Sequence, residues 1–246
     1  MIRFIDEPGM IAPIEWDDIN AELAITAFSP HIFDELLRVT GAKFLRRIPG
    51  GCDVDVYTFE LNGKTVAVYR SPIGAPAAAS TAEEILACGV KKLIAFGICG
   101  TLIHTPPQTI IVPTEAHRDE GTSYHYLPAE EKIKVKNADE VGRVLNSLGI
   151  KTVVGGVWTT DGFYRETRTR AEEMRKRGCV AVDMECSALQ AVADFRGKQF
   201  YTFFISADSL AGEEWQPNDI LQLEVTDSTT VACTAAVKLA KAVADN

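Results

Sequence analysis

The stretch VAVDMECSALQ, residues 180–190, sets two acids, Asp183 and Glu185, inside a run of small and apolar residues. Val180 to Val182 read as the end of a buried strand, and Ser187 to Leu189 as the start of a helix. A carboxylate in such a seam is costly to bury without a partner. The junction must therefore offer it hydrogen-bond donors, a ligand or water.

Working outward, strand-like and helical runs alternate on both sides. KTVVGGVWTTD (151–161) reads as a strand, and RETRTRAEEMRKRG (165–178) as a charged helix with Arg165 and Glu166 in its first turn. GKQFYTFFISAD (197–208) is the last strand, and VTDSTTVACTAAVKLAKAVADN (225–246) a closing amphipathic helix. Upstream, AELAITAF (21–28) is a strand and HIFDELLRVTG (31–41) a helix stopped by Gly41. DVYTFELNGKTVAVYRS (55–71) is a hairpin turning at Asn62-Gly63. AAASTAEEILACGV (77–90) is a helix ended by Gly89, and KKLIAFGICG (91–100) and QTIIVPTEA (108–116) are strands. This alternation predicts an α/β fold whose parallel or mixed sheet is covered by helices. Without linker, repeat or low-complexity tract, one domain over residues 1–246 is expected.

Composition narrows the function classes. Lys and Arg total 25 against 34 Asp and Glu, a net charge of −9, which argues against general attraction to nucleic acid or an anionic membrane. No apolar run approaches a membrane span, and MIRFIDEPGM lacks the apolar stretch of a secretion signal, so a cytoplasmic protein is expected. Six cysteines without CxxC pairs suit reduced, mostly buried thiols. The four histidines show no metal-ligand spacing, and no metal or organic cofactor is expected.

In open α/β sheets, ligands bind beyond the carboxyl ends of strands. The segments to inspect are therefore 71–76, 97–100, 159–164, 184–185 and 206–210. Gly74 and Gly97 sit in turns where a backbone can approach an anion or a hydroxyl, or where a strand simply meets a helix. Neither turn fits GxGxxG or GxxxxGK[ST]. RDEGTSYHYLP (118–128) gathers Arg118, Thr122, Ser123 and His125 into a loop that reads equally as a site loop or a solvated one. Phe163 could stack on a planar ligand or fill core. Asp208, just past an apolar strand, is either a cap or an acid whose pKa burial would raise.

Taken together, GAPAAASTAEEILACGVKKLIAFGICGTL, VDMECSAL and SADSL, in that order and at those separations, resemble the nucleoside phosphorylase superfamily. This group contains purine nucleoside phosphorylase, uridine phosphorylase and adenosylhomocysteine-type nucleosidases. The resemblance covers roughly residues 22–240 and implies a single-domain, three-layer α/β/α fold with a central mixed sheet. It implies that Glu185 accepts hydrogen bonds from ribose hydroxyls, that Met184 packs under the sugar, that Phe163 stacks on the base and that Asp208 assists a purine leaving group. The implied activity is cleavage of the N-glycosidic bond of a purine nucleoside or uridine by phosphate, a co-substrate, giving free base and ribose 1-phosphate. A homodimer or hexamer is the implied assembly.

The departures bear on the nucleophile. The phosphate-binding GDPxR loop of the family is replaced by TAFSPHI, and its arginine and hydroxyl near the GxCG strand end by Ala95 and Ile98. A phosphate dianion needs charge-assisted donors. Arg70 is the replacement cation to examine, with Gly74 and Gly97 beside it; Arg118, Thr122 and Ser123 are further candidates. Without such a replacement, water becomes the nucleophile, or the pocket binds a nucleoside without turnover.

Overall fold

Leu23 to Ala27 are buried at all five positions, the pattern of a strand covered on both faces. This segment is β1 of a computed structural model that describes residues 4–49, 52–217 and 227–244. After β1 (Leu23–Ala27) come α1 (Pro30–Thr40), β2 (Lys43–Ile48), β3 (Val54–Leu61), β4 (Lys64–Arg70), α2 (Ala75–Ala87), β5 (Lys92–Thr101) and β6 (Ile110–Asp119). The second half runs β7 (Lys132–Lys134), α3 (Ala138–Ser147), β8 (Thr152–Thr160), α4 (Arg168–Lys176), β9 (Cys179–Asp183), α5 (Cys186–Phe195), β10 (Gln199–Ser209) and α6 (Asp227–Ala244).

The ten strands form one mixed sheet, the central sheet expected of the α/β class, in the order β10-β6-β8-β9-β5-β1-β4-β3-β2, with β7 on β6. β1 pairs in parallel with β4 and β5, and β6 with β8, whereas β3 runs antiparallel to β2 and β4. β10 pairs with both β6 and β5, so β5, β10, β6, β8 and β9 close into a ring. Phe203 lies opposite Phe96 in the β10–β5 register, and their rings stack at 5.3 Å, a cross-strand pair that fixes this closure. Around the sheet, α1 and α3 pack on α6, and α2 packs on α5. None of the described helices is long and apolar enough to cross a membrane.

Local chemistry explains where elements stop. Gly41 takes φ 65° and its N–H donates to the Leu37 carbonyl, ending α1. Asn62 and Gly63 both have positive φ, as a tight two-residue hairpin turn requires. The charged helix begins three residues later than expected. Residues Phe163–Arg165 form a 3₁₀ turn and Thr167 caps α4, accepting a bond from the Arg170 N–H. Arg165 and Glu166 are thereby released from the helix into the strand-end segment. Asp208 lies inside β10 rather than past it, at a break in register between Ser206 and Asp208. The expected ends of the closing helix at 225–226 and 245–246 lie outside the described residues.

The parallel pair β8–β9 is packed to its limit. A Cβ on Gly155 would stand 2.6 Å from Val180 Cγ1. Gly155→Ala is expected to lower unfolding stability by about 1–3 kcal/mol through overpacking, and adding Val180→Ala to restore most of it. Denaturant titration of the single and double variants measures this; an additive double variant would contradict the contact.

Candidate active site

The seam at Asp183 resolves into two different jobs. Asp183 Oδ2 accepts the backbone N–H groups of Glu185 (2.8 Å) and Cys186 (2.5 Å), and Oδ1 accepts the Thr159 hydroxyl (2.7 Å). It therefore caps α5 from the end of β9, satisfying orphan helix donors. Glu185 is the N-cap residue of that helix, yet its side chain makes no cap bond and turns away. Its Oε1 accepts a bond of 2.6 Å from the N–H of Gly74, which stands at φ 96° before α2. Two helix N-termini thus converge on one buried carboxylate.

That carboxylate opens on a cavity of about 270 Å³ built from the ends of six strands. Phe28 and Ser29 follow β1, Ile73 follows β4, and Ile98, Cys99 and Gly100 come from β5. Phe163 and Glu166 follow β8, Met184 and Glu185 follow β9, and Asp208 comes from β10. Small size at Gly100 is required: a Cβ there would stand 2.9 Å from Val182 and from Leu210 and 3.1 Å from Asp208 Oδ1.

The cavity gathers Glu185, Met184, Phe163 and Asp208, with Gly74 bonded to the first. Phe163 also meets the Tyr164 ring, edge to face at 5.0 Å. Other candidates lie elsewhere. Arg70 is exposed and lines a neighbouring groove with Arg47 and Asp55; Phe28 and Ile73 are the wall this groove shares with the cavity. Gly97 is not on the lining, because it makes room for Phe28: a Cβ there would stand 2.7 Å from the ring. Thr122 and His125 line a second cavity beside α2. Ser123 is buried between Glu120 and Arg118, donating to the first and accepting from the second. Arg118 is consumed by that loop, donating to the carbonyls of Pro128 and Glu130 and lying over the Tyr124 ring.

Two contributors escaped the sequence reading. Glu166 was hidden in a charged run, although Thr167 as a cap residue would have excluded it from the helix. Trp215, on the turn after β10, donates its indole N–H to Asp208 Oδ2 at 2.7 Å, and nothing in the local sequence signals that contact.

The electrostatics are one-sided. Glu166, Asp183, Glu185 and Asp208 line the cavity, and among the described residues no Lys, Arg or His joins them there. Burial, reinforced by the Asp183 charge, pushes Glu185 up to about 8 despite the Gly74 donor. Burial and the charges of Asp208 and Asp183 do the same to Glu166, also to about 8. Burial lifts Asp183 to about 6 against its three donors, and raises Asp208 against the Trp215 bond. Burial holds the Cys99 thiol far above its ordinary value, which removes it as a nucleophile.

A family model described as the phosphorylase superfamily matches residues 22–245. A purine nucleoside phosphorylase DeoD-type of Aliivibrio salmonicida (strain LFI1238) is 27% identical over 209 residues, covering 80% of this chain and 87% of the relative. One of the same description from Bacillus cereus is 26% identical over 190 residues, covering 74% and 80%.

Raised carboxyl pKa values favour the fold while these groups keep their protons. That stability is fully present below the ordinary carboxyl value of 4.5 or less and is lost as pH rises through about 6 for Asp183 and about 8 for Glu166 and Glu185. The Tm of the unliganded protein should therefore fall between pH 6 and pH 9, and Glu185→Gln should flatten that fall. A wild-type Tm that is level or rising across this range would refute it.

Proposed function

The chain belongs to the phosphorylase superfamily, and on that footing we propose that it cleaves the N-glycosidic bond of a purine nucleoside. The observation that carries the proposal is the Glu185 carboxylate, buried and held by the Gly74 N–H, in one cavity with Phe163 and Asp208. A carboxylate offers two acceptor oxygens, and only one of these is engaged by Gly74, so vicinal ribose hydroxyls find a partner there. As the C–N bond breaks and the sugar gains positive charge, that charge favours the ionised form of Glu185, which in a water-poor cavity stabilises it more strongly than it stabilises the neutral substrate. Met184 supplies an apolar floor for the sugar, and Phe163 a face for the base. Purine is favoured over uridine by the names of the relatives. A cytoplasmic homodimer or hexamer goes with this reading.

Transfer of the ribosyl group to phosphate, giving ribose 1-phosphate, is the acceptor reaction that the relatives' names support. A second reading, with water as acceptor, is favoured by the lining itself. Phe28 and Ile73 form the wall shared with the Arg70 groove, and among the described residues four acidic side chains and no cation line the space, so a phosphate dianion lacks the charged donors it needs. Base release from inosine, adenosine, guanosine and uridine, each with and without phosphate, separates the two. Phosphate-dependent release with ribose 1-phosphate as product supports the first, and phosphate-independent release with free ribose the second.

In either case Glu185→Ala should lower kcat/KM for the preferred nucleoside by at least about 100-fold, roughly 2.7 kcal/mol of transition-state stabilisation. A loss smaller than about threefold, under roughly 1 kcal/mol, would remove Glu185 from the reaction.

A further inference from the structure

At one end of the cavity two carboxyls face the same space, and their surroundings differ. Asp208 is clamped. Trp215 donates to its Oδ2 at 2.7 Å, and the turn carrying Trp215 is closed by two backbone bonds of 2.9 Å between Ser209 and Gln216. Arg175 and Arg168 of α4 are spent on the same turn, donating to the carbonyls of Leu210 (3.0 Å) and Glu213 (2.5 Å). An indole N–H can only donate, so its partner oxygen serves as an acceptor, and that bond favours the ionised carboxylate. Asp208 Oδ1 remains on the Gly100 side, toward the cavity.

Glu166 has no such clamp. It is half-buried, and its carboxyl takes part in no hydrogen bond among the described residues. The charged groups acting on it are Asp208 of β10 and Asp183 of β9, both acidic, and Glu185 shares the lining. Arg168 and Arg175 of α4 are turned to carbonyls, as above. Two acids set apart in this way divide into a proton carrier and an ion.

The geometry points to Glu166 as the proton donor to the departing base, with Asp208, positioned by Trp215, as the acceptor that orients that base. This inference rests on the glycosidic reading above. The C–N bonding pair leaves with the base, the Glu166 carboxyl proton moves to a ring nitrogen, and C1′ bonds to the oxygen of the incoming phosphate or water. The proton lost from that nucleophile's O–H restores Glu166, so charge and atoms balance. A proton held at about pH 8 is available at neutral pH and is lost above it.

The test compares a purine nucleoside with p-nitrophenyl riboside, whose phenolate leaves without protonation. Glu166→Gln should lose about 100-fold or more on the purine nucleoside and stay within about fivefold of wild type on the aryl riboside. Retained aryl activity also shows that the variant folds. The alkaline fall in wild-type rate above about pH 8 should disappear in Glu166→Gln. Equal losses on both substrates, or a selective loss found in Asp208→Asn instead, would overturn the assignment. Wild type inactive on both ribosides would overturn the glycosidic reading itself, and the proton donor with it.

Discussion

The bond from the Gly74 N–H to Glu185 Oε1 joins the start of α2 to the start of α5, the helix it packs against, 111 residues apart in sequence. Much of the site follows from it. Gly74 reaches this position at φ 96°, a conformation that suits glycine, and it thereby leads the chain out of β4 toward the cavity. Glu185 can accept the bond because Asp183 takes over the helix-capping work that a residue at its position normally does. One acid serves structure so that the next, two positions on, faces open space.

Charge balance distinguishes this cavity from a general anion site. Its acids repel one another, and part of that repulsion is removed by protonation rather than by cations, as the raised values of Glu185 and Glu166 indicate. Such a lining suits a ligand that brings hydroxyl or N–H donors and develops positive charge during reaction. A sugar whose hydroxyls donate to these oxygens eases the repulsion among them.

How much of this was legible in the sequence depended on how local the cause was. The hairpin at Asn62-Gly63 and the stop at Gly41 rest on two or three residues each, and both stand where the sequence reading put them. The α/β class and the mixed sheet followed from the alternation of periods. β2 and α3 carry weak local signals: β2 is short and charged, and α3 presents only a narrow buried stripe at Ala138, Val141 and Leu145. The pairing of β10 with β5 joins segments some hundred residues apart, and no local pattern encodes it. The same holds for the cavity. VDME and SADSL pointed to Glu185 and Asp208, but the displacement of Arg70 behind Phe28 and Ile73 is a tertiary fact. Glu166 lay at a one-turn error in a helix boundary, where capping chemistry outweighed charge periodicity.

The closure of the sheet through β10 also limits which strands are open to edge-to-edge addition. A ring has no free edge, and β1 and β4 are paired on both sides, so the strands carrying the cavity offer no row of unpaired amides to another chain. Among the described strands, the edges left open are β2 and the short β7. Both are basic: Lys43, Arg46 and Arg47 lie on the first, Lys132 and Lys134 on the second. Like charges brought edge to edge oppose strand addition. In a chain of net charge −9, five of the 25 Lys and Arg thus stand on the two strands where unwanted sheet growth would begin.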